Sequence, residues 1–218
     1  MTRRGLVRAL GASLLAGLPA MTGCDRPTPA PSAILAVPAP APAKRIRYRD
    51  GHYPSLDLAQ GRRREIKSLL NIGYPMLFGG FAWDEEGVPQ GETWVLVDLG
   101  RQLISVFRQG HEIGSAVIIF GSDGKPTPTG AFTVLQKAKD YTSRTYDAPM
   151  PFMLRLTGDG VAIHGSHVRQ GWATHGCVGV PLEFARLLYA AMNLGGRVEI
   201  LPQGGARAPG QTVRLPVG

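Results

Sequence analysis

Cysteine is nearly absent from this chain, with only Cys24 and Cys177 in 218 residues. So few thiols exclude a disulfide framework. A single bridge between the two would tether the N-terminal tail to a site that needs access. Acidic residues are also scarce: 16 Asp and Glu stand against 24 Lys and Arg, for a formal charge of +8. None of them lies between Ile163 and Pro181, so no carboxylate close in sequence can orient a histidine there or support a metal ligand. Long apolar runs are missing too. The segment from Ala9 to Met21 is apolar, but it is too short and too interrupted by Pro and Gly to remain as a membrane span.

Against these absences, the stretch Ile163-His164-Gly165-Ser166-His167 through Thr174-His175-Gly176-Cys177-Val178 is crowded with chemistry. It holds three of the five histidines and one of the two cysteines. A thiol attacks only as thiolate, and an imidazole within reach can take its proton. A lone Cys is commonly a small buried hydrophobe, but Cys177 follows Gly176 in polar, flexible sequence. Zinc is a second alternative, because His164, His167, His175 and Cys177 supply four donors on paper. Their mixed spacings across a short loop do not follow known ligand patterns, and the expectation is no metal and no organic cofactor. The backbone N–H groups around Gly176 and Cys177 are candidates for an oxyanion hole.

The N-terminal part reads as an exported, anchored chain. Residues 1–23 form an export signal with Arg3, Arg4 and Arg8 ahead of the apolar run. Met21-Thr22-Gly23-Cys24 resembles a bacterial lipobox, which implies that Cys24 is acylated and becomes the mature N-terminus. Thr2-Arg3-Arg4-Gly5-Leu6-Val7-Arg8 also resembles a twin-arginine signal. Residues 24–43 are a Pro/Ala-rich linker, extended at about 3.1 Å per residue. The expected location is the periplasmic face of a bacterial membrane, held by the lipid. Removing the three leader arginines leaves +5, which draws the chain to anionic cell-wall and membrane surfaces. The export signal and the lack of a recognisable binding motif exclude nucleic acid.

Residues 44–91 form an N-terminal extension. Ile66, Leu69 and Leu70 share a helical face, so a short amphipathic helix is expected over 62–70, stopped by Gly73 and Pro75. Tyr74, Phe78, Phe81 and Trp83 are expected to pack it onto the following domain. From Thr93 the pattern changes to that of strands: Thr93 to Asp98, Gln102 to Phe107, Glu112 to Phe120, Ala131 to Gln136, Phe152 to Leu156 and Val161 to His164. Phe184, Leu187, Leu188, Ala191 and Met192 recur at helical spacing behind Pro181, with Gly195 after the last turn. Arg197 to Leu201 closes the sheet, and residues 203–218 read as an irregular tail. The expectation is a mainly β, sandwich or barrel-like fold with one helix after the nucleophile loop.

The His164-Gly165 pair, followed by Thr174-His175-Gly176-Cys177-Val178, resembles the signature of the L,D-transpeptidases with a YkuD-type catalytic domain. Pro126-Thr127-Pro128-Thr129-Gly130-Ala131-Phe132 resembles an upstream element of the same family. The resemblance places a catalytic domain at residues 92–202. It implies Cys177 as nucleophile and His164 as general base and acid, with Gly165, Ser166, Thr174, His175 and Gly176 in support. The group that orients His164 would be the carbonyl of Gly165 or Ser166. Implied substrates are the stem peptides of peptidoglycan, attacked after the third residue with loss of D-alanine, and the acceptor is a stem amine, a D-amino acid, a protein amine or water. Gly179 departs from the family, which mostly carries Arg or Asn there. Two rivals differ in class: a cysteine amidase, endopeptidase or carboxypeptidase acting on stem peptides, and an unreactive lipid-anchored peptidoglycan-binding module.

Overall fold

The computed structural model describes residues 43–58, 61–122 and 124–203. The export signal, the lipobox with Cys24, nearly all of the linker and residues 204–218 lie outside the described residues. Ala43, at the end of the expected linker, opens the first strand, β1 (Ala43–Arg47).

Three sheets and one helix make up the described chain. β4 (Ser68–Asn71), β6 (Thr93–Asp98), β7 (Leu103–Arg108), β8 (His111–Val117), β9 (Gly130–Thr133) and β14 (Arg197–Leu201) join β1 in the order β1-β4-β8-β7-β6-β14-β9, and β5 (Phe81–Trp83) also pairs with β8. A second sheet runs β10 (Gln136–Ala138), β11 (Met153–Arg155), β12 (Ala162–Gly165) and β13 (Val178–Val180). β2 (Ser55–Asp57) and β3 (Arg63–Glu65) form a small hairpin. The fold is a mainly β sandwich.

Alternation within the strands builds its core. Val95, Val97, Ile104, Val106, Val198 and Ile200 of the large sheet meet Leu154, Ile163, Val178 and Val180 of the small one. The helix α1 (Leu182–Ala191) sends Phe184, Ala185 and Leu188 into the same core, and Phe184 meets Phe81 and Trp83 edge-on. Pro181 caps the helix and Met192 ends it, so Gly195 sits further on, in the turn before β14, at φ 74°.

The expected helix over 62–70 is not formed. That segment instead supplies β3 and β4, with Lys67 N–H bonded to Gly110 O and the Tyr48 N–H to Lys67 O. β4 alternates buried Ser68 and Leu70 with less buried Leu69 and Asn71. The helical spacing of three apolar residues is a weak local preference, and the open edge of β8 overrides it by offering backbone partners. The expected strand from Ala131 to Gln136 splits at Val134 and Leu135, whose N–H groups bond Gly196 O and Arg155 O as the chain passes between sheets. Glu112 to Phe120 ends as a ladder at Val117, after which Ile119 and Gly121 bridge to Gly179 and Thr174.

Candidate active site

The small sheet has two faces of different character. Leu154, Ile163, Val178 and Val180 point to the core, while Met153, Ala162 and Cys177 form a separate apolar cluster on the other face. Pairing of β12 with β13 is parallel, Ile163 beside Val178 and His164 beside Gly179. Extending that register by one residue sets Cys177 beside Ala162, whose backbone hydrogen-bonds the sulfur. Residues two apart on a strand share a face, so His164 lies on the same face as Cys177, one step diagonally across. Both line a cavity of about 520 Å³.

His164 is held by its own strand. Its Nδ1 lies 2.9 Å from Gly165 O. A carbonyl only accepts, so Nδ1 carries the hydrogen and the neutral ring presents a bare Nε2. Burial pushes the His164 pKa below the usual histidine value, partly opposed by the Gly165 bond. Burial pushes the Cys177 thiol up, opposed by the Ala162 backbone and the positive charge of Lys125, and reinforced by Asp159. The sulfur sits 3.8 Å from Gly160 O. Both shifts run in the direction of a neutral thiol and a neutral imidazole.

The loop that presents Cys177 is pinned from two sides. Thr174 Oγ1 donates to Cys177 O, and Thr127 Oγ1 approaches the same oxygen at 3.5 Å while accepting from Gly121 N–H at 2.9 Å. Thr174 N–H bonds Phe120 O at 2.9 Å. Gly176 adopts φ 98°, a conformation that a residue with a Cβ rarely takes. Ser166 lines the cavity, and its N–H bonds Val180 O at 2.8 Å. His175 stacks on Tyr146 with ring centroids 4.3 Å apart. His167 is exposed. Among the described residues no group of three or more His, Cys, Asp or Glu side chains is gathered as a metal cage, so the four zinc donors weighed from sequence do not converge.

Gly179 has a packing explanation. A Cβ there would lie 2.7 Å from Ile119 Cγ1 and 2.9 Å from Ser166 Cβ. Ile119 occupies that space because it bridges Gly179 through both backbone bonds. Several cavity residues carry no signal in the sequence. Lys125, whose Nζ meets Tyr146 Oη at 3.2 Å, and Arg155, which donates to Tyr141 Oη at 2.9 Å, come from a turn and a neighbouring strand. Thr127, which approaches Cys177 O without lining the cavity, lies in a segment that the family resemblance marks.

The sequence profile described as the L,D-transpeptidase catalytic domain (YkuD) matches residues 92–200. Similar solved structures include an L,D-transpeptidase from Stackebrandtia nassauensis, at 24% identity and TM-score 0.48 over 52% of this chain and 57% of that one. Another is an L,D-transpeptidase from Mycobacterium smegmatis, at 22% identity and TM-score 0.47 over 51% and 59%. A third, from Mycobacterium tuberculosis H37Rv, has 22% identity and TM-score 0.47 over 50% and 57%. The chain therefore spans less than two thirds of the length of these structures. No curated protein sequence matches it. With the family profile covering half of the residues and both of its motif segments meeting at Cys177, the chain belongs to the YkuD L,D-transpeptidase catalytic domain family.

Proposed function

We propose that this chain is a peptidoglycan L,D-transpeptidase, and the observation that carries the reading is that Cys177 and His164, with its bare Nε2, share one face of a parallel strand pair and line the same cavity. In the first step Nε2 takes the thiol proton as Sγ attacks the carbonyl after the third residue of a tetrapeptide stem. The backbone N–H groups of Gly176 and Cys177 meet the developing oxyanion. The imidazolium then gives its proton to the departing D-alanine amine, the C–N bond breaks and a thioester remains on Cys177. An amine of a second stem, or of a protein, attacks the thioester and loses its proton to His164, and the sulfur leaves to regain that proton. Water in place of the amine gives carboxypeptidase activity from the same site. The Gly165 carbonyl holds His164 in the required tautomer throughout.

Acylation of Cys24 and the Pro/Ala-rich segment behind it would place this site above the periplasmic face of a membrane, within reach of the polymer. The test uses the mature chain with Cys24→Ser, so that Cys177 is the sole thiol. After incubation with a carbapenem, an acyl donor analogue, intact-protein mass spectrometry is expected to show one adduct, absent from Cys177→Ala and lost or slowed at least about 100-fold in His164→Ala. A folded protein that forms no adduct would remove the transpeptidase reading in favour of the binding module.

A further inference from the structure

The cavity around Cys177 is markedly cationic. Lys125, Arg144 and Arg155 line it against the single carboxylate of Asp159. Arg155 is the most telling of these. It is half-buried, its guanidinium donates to Tyr141 Oη at 2.9 Å and stands 5.6 Å from that ring's centroid, and its Nε is buried without a hydrogen-bond partner among the described residues. No described carboxylate pairs with it. A guanidinium withdrawn from water without a counter-charge is costly, and the cost is offset when an anion arrives.

The strand register shows where that anion would sit. Gln136 pairs with Arg155, Arg155 pairs with Ala162, and Cys177 follows beside Ala162. Paired residues point to the same face, so these four form one row, of which Gln136, Arg155 and Cys177 line the cavity while Ala162 is buried in the cluster of Met150 and Met153. Arg155 and Cys177 are two strand spacings apart, about 9.5 Å between backbones, and both line the same cavity. A peptide lying in the cavity with its carbonyl at the sulfur can bring a carboxylate towards Arg155 within about two residues' reach.

We propose that Arg155 is a specificity-determining residue that binds a carboxylate of the acyl donor, with Tyr141 fixing the guanidinium and Lys125 adding positive charge to the cavity. The inference rests on the transpeptidase reading for the identity of the donor. The carboxylate belongs either to the departing C-terminal residue or to the side chain of the residue whose carbonyl is attacked. A fork-shaped guanidinium suits either, because it grips a carboxylate through two N–H groups.

The test measures binding of three synthetic tetrapeptide donors to the full chain carrying Cys177→Ala: free acid, C-terminal amide, and side-chain amide at the third residue. One amidation is expected to weaken binding about 10- to 100-fold, and which one does so identifies the source. Adding Arg155→Gln should weaken the free donor by the same factor and leave the sensitive amide unchanged. Arg155→Lys should restore part of the difference and shows that the fold survives at this position. Equal affinity for all three donors, no binding of any, or an Arg155→Gln loss that is equal for all three would overturn the proposal. Failure of the parent chain to form an adduct at Cys177 would sink the transpeptidase reading while leaving this amide dependence standing.

Discussion

At His164 and Cys177 burial acts on two groups in opposite directions, lowering one pKa and raising the other, yet both changes favour the uncharged form. His164 is thereby kept free to take the thiol proton during the attack. The rate of Cys177 acylation should fall only when His164 is protonated, so its acid limb should lie below pH 6.5, the ordinary histidine value. A limb at or above 6.5 would contradict the downward shift that burial imposes on His164. The same shift has a consequence for stability. His164 and His111 are both held below their usual value by burial, with Arg45 contributing at His111. The unfolded chain therefore binds more protons at mildly acid pH, and this contribution is fully present above 6.5 and lost as pH falls towards the folded values. Denaturant titrations of the parent at pH 7.5 and 5.5 should show the loss, and His164→Gln should reduce it. The histidine and cysteine were legible from their crowding in a chain poor in both. Arg155 was not, because its meaning lies in a cross-strand row that joins residues in or directly before four successive strands of the small sheet.

Among the elements, β13 decides how closely the nucleophile loop can be held. Gly179 sits in a strand against Ile119, and its φ needs no glycine, so the requirement is one of space alone. Gly179→Ala should lower stability by about 1–3 kcal/mol through overpacking. In the Ile119→Ala background the same change should cost less, since the nearest contact is gone and only that with Ser166 Cβ at 2.9 Å remains. Equal costs in both backgrounds, read from urea melts, would show that Ile119 is not what excludes a side chain. The departure from the family at this position was visible in the sequence, but its cause was not, because Ile119 lies far along the chain. The same limit explains the false helix over 62–70. Ile66, Leu69 and Leu70 carry a helical spacing, but Leu70 N–H bonds the buried Glu112 carboxylate at 2.9 Å, and Ser105 Oγ bonds the same group at 2.7 Å. Strands β6, β7, β12 and β14 were readable because their alternation and turns are local. β4 depends on a partner that no local window contains.

For the whole molecule, the family profile and the folding unit do not coincide. The profile begins at residue 92, but β4 and β5 pair with β8, and Leu56, Leu58 and Ile66 cover the outer face of the large sheet. Under them Trp94 and Phe107 are each only 3% exposed and stack with centroids 4.5 Å apart. Arg45 ties β1 to the same region through Ser68, Asp84 and the carbonyl of Glu112. Burying two such aromatic side chains is worth on the order of 3–6 kcal/mol, comparable with the entire stability of a domain, about 5–15 kcal/mol. A chain from residue 92 to 203 would also leave an edge of β8 open to pairing with other chains. Such a chain should aggregate or unfold without cooperativity, whereas residues 43–203 should melt in one cooperative transition by circular dichroism. A soluble, cooperatively folded and carbapenem-reactive 92–203 chain would show that the extension is an accessory. The predicted failure would show instead that the strands preceding the family's own residues complete the large sheet, against which the small sheet bearing His164 and Cys177 packs.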